Sequence, residues 1–125
     1  MNSSAKLAIA LLVGVVTGGV ATHQLHAQAK PKTYLVTESQ IIDAAAAQAS
    51  AQQIQSVIRA AGGRTIISTR GKITALEGTA PVRFSVTEWE NIEKAQAYMN
   101  SPERKALTPE REKAVKTVRQ FIIEN

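Results

Sequence analysis

The sequence contains no cysteine, and its two histidines, His23 and His26, both fall within the first 29 residues. Those residues read as a removable export segment, so the mature chain is expected to hold neither side chain. This excludes a Ser-His-Asp or Cys-His catalytic set, a thiolate nucleophile, a zinc site built on His and Cys, and a haem with a His or Cys axial ligand. Disulfides are excluded as a source of stability as well. Aromatic side chains are few. The mature chain has Tyr34, Phe84, Trp89, Tyr98 and Phe121, none interleaved with a basic run in the way that stacking on nucleic-acid bases requires. The formal charge of +5 comes from 15 Lys and Arg against 10 Asp and Glu, spread along the chain, so a solvated surface and no nucleic-acid partner are expected. No two carboxylates stand at a spacing that fixes them across a cleft, and Gly62-Gly63 follows a helical pattern where a phosphate-cradling loop would open one. No metal site and no cofactor are expected.

The N-terminus has the order of a secretory signal. A short polar start with one charge, Lys6, precedes the apolar run Leu7 to Val16 and then the small-x-small pattern Ala27-Gln28-Ala29 that signal peptidase accepts. A retained membrane anchor fits less well, because the apolar stretch ends by Ala21 and contains Thr17, Gly18 and Gly19, whereas a span of the hydrocarbon core needs about 20 residues. The predicted organisation is a signal peptide over 1–29, a linker over 30–32 and a single domain over 33–125. The protein is expected in the periplasm or outside the cell, meeting the membrane only transiently through the signal. A domain this small, without disulfides, gains from burying further apolar surface by association.

Hydrophobic periodicity sets out the domain. Tyr34 to Gln40 is a strand with apolar residues on both faces: Tyr34 and Val36 on one, Leu35 on the other. From Asp43 to Ala61 the apolar positions Ala47, Ala51, Ile54, Ile58 and Ala61 line one face of a helix, capped by Asp43 and ended by Gly62-Gly63. Arg64 to Thr69 and Ile73 to Glu77 read as two strands of a hairpin turning at Gly71-Lys72. Val82 to Thr87 alternates cleanly, with Val82, Phe84 and Val86 opposite Arg83, Ser85 and Thr87. Asn91 caps a helix on which Ile92, Ala95 and Met99 share a stripe. Ser101-Pro102 and Thr108-Pro109 each have the form of a helix start, and Thr117 to Glu124 is a closing strand. This order is a split βαβ plan, α+β in class, with helices on one face of an antiparallel sheet. The other face is too apolar to stay wet, which predicts a homodimer.

Few residues could carry chemistry. Glu88 stands beside Trp89, and a carboxylate against an indole can have a raised pKa and serve as an acid or base; the plainer role is an acid favoured by the following helix dipole. Arg83, with Ser85 and Thr87, could hold a carboxylate or phosphate, or could pair with Glu38 or Glu77 on a neighbouring strand. Tyr98 and Trp89 are expected as pocket walls. Arg70 and Lys72 read as a solubilising turn. Arg104, Lys105, Arg111, Lys113, Lys116 and Arg119 against Glu103, Glu110 and Glu112 read as a solvated basic face.

Several short motifs in order resemble one family: Tyr34-Leu35-Val36 with Glu38, Gly62-Gly63-Arg64, Glu77-Gly78, Arg83-Phe84-Ser85-Val86-Thr87-Glu88-Trp89, and Ala95-x-x-Tyr98-x-x-Ser101-Pro102-Glu103. The chain from about Lys32 to Glu124 is similar to the domain of unknown function 1330 family. The resemblance implies a ferredoxin-like domain pairing into a dimeric α+β barrel, and no particular reaction. Arg104 stands where the family commonly has Tyr, and Trp89 where Phe is usual. The stretch from Arg64 to Gly78 is one residue longer than the common pattern, so the family's arginine there corresponds to Ser68 or Arg70. The expected function is binding of a small anionic or amphipathic molecule at Arg83, Glu88, Trp89 and Tyr98. A cofactor-independent monooxygenase- or isomerase-like enzyme using Glu88 and Arg83, and a structural role in the cell envelope, are the alternatives.

Overall fold

The computed structural model describes residues 30–125; the segment read as an export signal lies outside the described residues. In strand β1 (Thr33–Ile41) Leu35 on one face and Val36 on the other are 5% and 3% exposed. Helix α1 (Ala44–Ala60) begins where the Asp43 carboxylate accepts the Ala46 N–H at 2.8 Å, a cap worth about 1 kcal/mol. It ends where Gly62 takes φ +89° and the Gly63 N–H donates to the Ile58 carbonyl. Strand β2 (Arg64–Ser68) follows, then β3 (Arg83–Trp89).

The hairpin expected at Gly71-Lys72 does not form. Residues 70–82 carry no strand, and β2 pairs instead with β3, Thr65 opposite Thr87 and Ser68 opposite Ser85. The cause is what each segment can bury. β3 offers an unbroken alternation that both β1 and β2 use, whereas Ile73–Glu77 gains no such partner and leaves Leu76 98% exposed.

Helix α2 (Ile92–Asn100) is capped by the Asn91 side chain, and α3 (Pro102–Ala106) by Ser101. Helix α4 (Thr108–Ala114) departs from expectation: Thr108 is its first residue rather than its cap, and Leu107 precedes it with no side-chain cap bond. The helix runs directly into β4 (Val115–Glu124). At that junction the Ala114 carbonyl accepts N–H groups from both Ile42 and Asp43, fastening it to the β1–α1 turn.

The four strands are ordered β2-β3-β1-β4, all antiparallel. This is the split βαβ, ferredoxin-like arrangement expected. A bulge between Glu38 and Ser39 shifts the β1–β4 register, and one at Ile66 shifts β2 against β3. On the helical face Leu35, Ile58, Trp89, Ala95 and Tyr98 form the core, joined by Ile54, Met99 and Ile122. The opposite face is apolar and uncovered in the single chain. There Val36 stands opposite Val86 and Phe121, and Tyr34 opposite Ile123, with Phe121, Ile123 and Ile67 each nearly half exposed. Lys32, placed by sequence in the linker, is tied to the domain, since its carbonyl accepts the Asn125 N–H.

Candidate functional site

Between sheet and helices the core stops short of closing. A chamber of about 100 Å³ is lined by Thr37 and Ser39 of β1, Arg83, Ser85 and Thr87 of β3, Ser50 of α1, Tyr98, Arg104 and Arg111. Period two explains the β3 row: with Trp89 turned into the core, Thr87, Ser85 and Arg83 follow it on the same face. Arg104 and Arg111 join Arg83 in lining this one small space, and among the described residues no aspartate or glutamate lines it. Ser39, Ser50 and Thr87 are buried although polar, at positions where an apolar side chain would pack without needing partners.

The charges act on one another. Burial, first, and the Arg104 charge hold the Arg111 guanidinium below its ordinary value; Tyr98 and Glu112 oppose this, and Arg83 adds a smaller lowering. Arg111 remains a cation, since arginine does not deprotonate in proteins. Its Nη2 donates to Thr117 Oγ1 at 2.6 Å, which fixes its direction. Tyr98 is 4% exposed; burial pushes its phenol above 10.0, partly offset by the charge of Arg104 and a hydrogen bond from it, and by the charge of Arg111. The phenol is thus neutral at physiological pH. The Arg104 guanidinium lies 5.8 Å from the Tyr98 ring centre, within reach of a cation–π attraction.

Neighbouring bonds set the polarity of the uncharged groups. The Trp89 indole N–H, which can only donate, bonds to Thr87 Oγ1 at 3.0 Å. Gln120 Nε2 donates to Thr37 Oγ1 at 2.9 Å, and Thr65 Oγ1 donates to Gln55 Oε1 at 2.9 Å. Each arrangement occupies acceptor capacity on a chamber residue, leaving the Thr37 and Thr87 O–H and the Gln55 amide N–H free to donate. A larger groove of about 1030 Å³ adjoins the chamber, shares Ala47, Ala51, Gln55, Thr65, Ser68 and Arg83 with it, and is likewise lined by no acid among the described residues.

Of the four residues singled out by sequence, the structure brings two to this chamber. Arg83 and Tyr98 line it. Trp89 stands one layer behind, backing two lining residues: it stacks on Tyr98 with ring centres 4.8 Å apart and bonds to Thr87. Glu88 points to the opposite face of the sheet, between Lys32 and Arg64 at 3.0 Å each. The raised pKa considered for it does not arise: the hydrogen bond from Lys32 lowers it most, desolvation opposes this, and the Arg64 hydrogen bond and the two positive charges lower it further. Arg83 has neither of the acid partners considered for it. It stands opposite Ser39 in register, while Glu38 pairs with Arg119 across the open face. Of the two alternatives for the family's arginine position, Ser68 borders both spaces and Arg70 borders the groove.

Sequence reasoning missed Arg104 and Arg111 by assigning them to a solvated face. A signal was present. Leu107, Arg111 and Ala114 recur at helical spacing, and Ala114 is fully buried, so Arg111 occupies the inward stripe of α4. Among the described residues no cluster of three His, Cys, Asp or Glu could hold a metal ion.

Fold and site together define a split-βαβ α+β domain with a cationic chamber between its sheet and its helices. The chain belongs to the domain of unknown function 1330 family (DUF1330), whose profile matches residues 32–125. It is similar in structure to a protein of unknown function from Rhodopseudomonas palustris, with TM-score 0.63 and 11% identity, over 84% of this chain and 91% of that one. It also resembles SnoaB, a cofactor-independent oxygenase from Streptomyces nogalater, with TM-score 0.61 and 8% identity, over 74% of this chain and 91% of that one. A third likeness is to a Bacteroides thetaiotaomicron protein of unknown function described as a possible oxidoreductase, with TM-score 0.52 and 10% identity, covering 78% and 100%. At these identities the likeness is one of fold. Among curated proteins none matches this chain.

Proposed function

We propose that this protein is an exported, homodimeric binding module for a small anionic molecule, held in the chamber by Arg83, Arg104 and Arg111. The observation that carries the reading is three guanidinium groups around one small space with no carboxylate among its lining residues. Holding like charges together in a half-buried space is costly unless a counter-charge arrives, and a bound oxyanion supplies it through charge-assisted hydrogen bonds. Export is supported by the order of charge, apolar run and Ala27-Gln28-Ala29. Dimerisation is supported by the uncovered face that carries Phe121, Ile123 and Ile67, since apolar sheet surface of this kind is covered most economically by a second copy of itself. The test is anion titration of the protein and of Arg83→Ala, with folding checked by circular dichroism. Loss of binding in the folded variant supports the chamber, and unchanged binding rejects Arg83. Mass spectrometry of what co-purifies with the protein would name the ligand.

A second reading, a cofactor-independent enzyme, is favoured by one feature. The Tyr98 phenol faces the chamber beside Arg104 and Arg111, and cations so placed would stabilise an enolate or phenolate formed from a bound substrate. With Glu88 on the other face, Tyr98 replaces it as the acid or base that reading needs. Pure protein that consumes no quinol or electron-rich aromatic in a broad turnover screen would sink it.

A further inference from the structure

The chamber and the groove beside it differ in size by an order of magnitude and in lining, yet they share Arg83 and the α1 residues Ala47, Ala51 and Gln55. The chamber's volume of about 100 Å³ corresponds to roughly three waters at ~30 Å³ each, enough for a carboxylate or a compact tetrahedral anion and too little for a ring with substituents. The groove, at about 1030 Å³, reaches the upper end of drug-sized sites, ~300 to 1,000 Å³. Along it Ala44, Ala47 and Ala51 follow one another on α1, with Ile41 and Val82 alongside, so an apolar strip runs down the groove between the polar side chains of Gln48, Gln52, Gln55 and Arg59. Arg83 stands where the two spaces meet, Arg104 and Arg111 line the chamber alone, and Arg59 and Arg70 line the groove.

We infer that the two spaces form one site for an extended amphipathic carboxylate, with the acid group in the chamber and an apolar body lying along the alanine face of α1. This rests on the anion-binding reading above and names the class of ligand. The polarity of the chamber selects the head group. Thr87 accepts from the Trp89 indole and Thr37 from Gln120, so each keeps an O–H to donate to a ligand that only accepts. A carboxylate accepts without donating and matches guanidinium forks in two places at once, whereas an alcohol or amine would bring a proton to a site already full of them. The groove selects length, because a body that reaches past Arg83 covers alanine surface that a short acid leaves wet.

Titration calorimetry with acetate, octanoate, octanol and inorganic phosphate tests this on the full protein. Octanoate is expected to bind at least about tenfold more tightly than acetate, and octanol at least about tenfold more weakly than octanoate, each buried methylene contributing ~0.8 kcal/mol. Ala44→Trp fills the groove from an exposed position and is expected to bring octanoate affinity down towards that of acetate. Gln52→Trp, also exposed, is the second variant should the first not fold. Acetate and octanoate binding equally, both lost in Arg83→Ala, would overturn the two-part site and leave the anion reading standing. No Arg83-dependent binding of any of the anions would overturn both. Phosphate binding more tightly than octanoate and indifferent to the groove variants would replace the carboxylate by a compact anion, and octanol matching octanoate would remove the chamber's part in recognition.

Discussion

Gly63 lies so close against the Trp89 ring that a Cβ at position 63 would sit 2.5 Å from Cη2 and 2.7 Å from Cζ2. The indole cannot give way easily. It is 1% exposed, stacked on Tyr98 at 4.8 Å with 27° between the planes, and bonded through its N–H to Thr87. One backbone position thereby fixes a ring that in turn backs the chamber wall.

Gly63→Ala is therefore expected to destabilise the domain by about 1–3 kcal/mol, the usual cost of overpacking, lowering Tm by roughly 4–8 °C per kcal/mol for a domain of this size. Gly71→Ala, where a Cβ meets nothing within 4 Å, should leave Tm almost unchanged. Thermal unfolding followed by the fluorescence of Trp89, the single tryptophan, separates the two. Equal melting temperatures for the two variants would contradict the close contact.

Acid sensitivity should trace in part to Glu88. Its carboxyl is held below the ordinary 4.5 by the hydrogen bond from Lys32, ahead of the opposing desolvation and the bond from Arg64. The folded state therefore takes up a proton less readily than the unfolded chain. The stabilisation is present above about pH 4.5 and is lost as pH falls through the lower folded value. Glu88→Gln should flatten the acid limb of Tm against pH while changing little in the chamber, which lies on the other face. An acid limb as steep as that of the unchanged protein would dismiss the pairing as a source of stability.

The uncovered sheet face gives a third expectation. Phe121 stands opposite Val36 and is 47% exposed, so a partner seated on this face would bury its ring near the centre. Phe121→Glu should weaken association by about 2 kcal/mol or more, some thirtyfold, and light scattering at micromolar concentration should shift from dimer to single chain. A single chain before any substitution would remove the dimer.

How much was legible followed from how far each signal extended. Two-residue and 3.6-residue periods located β1, α1, β3, α2 and β4, because each runs long enough for its buried positions to repeat. Gly71-Lys72 looked like a turn only locally. Whether Ile73–Glu77 could pair depended on a competition with β3 for the edge of β2, which no local pattern records. The alternation that puts Arg83 with Ser85 and Thr87 also separates Arg83 from Glu88, five residues on and hence on the other face. Sequence alone could have kept those two from one site. Arg104 and Arg111 were hidden by composition: amid six basic residues, the inward stripe of Leu107, Arg111 and Ala114 marks Arg111 as half-buried, and no such stripe marks Arg104.

Arg111 should cost the empty protein stability and repay it when an anion binds. Its guanidinium loses hydration on burial and faces the charges of Arg104 and Arg83, with Thr117 Oγ1 as its close hydrogen-bond acceptor. Replacing a half-buried charge that makes no salt bridge by a shorter uncharged side chain relieves that penalty. Arg111→Gln is thus expected to melt at the same temperature as the unchanged protein or a few degrees higher in low-anion buffer, the pattern of a functional residue kept at some cost to the fold. Added carboxylate should raise the Tm of the unchanged protein, because a ligand that binds only the folded state stabilises it by mass action, and should raise that of Arg111→Gln much less. Differential scanning fluorimetry across an anion series reads both effects together. If Arg111→Gln instead melts markedly lower and responds to carboxylate as fully as the unchanged protein, Arg111 is a structural strut through Thr117 and the chamber binds its anion without it.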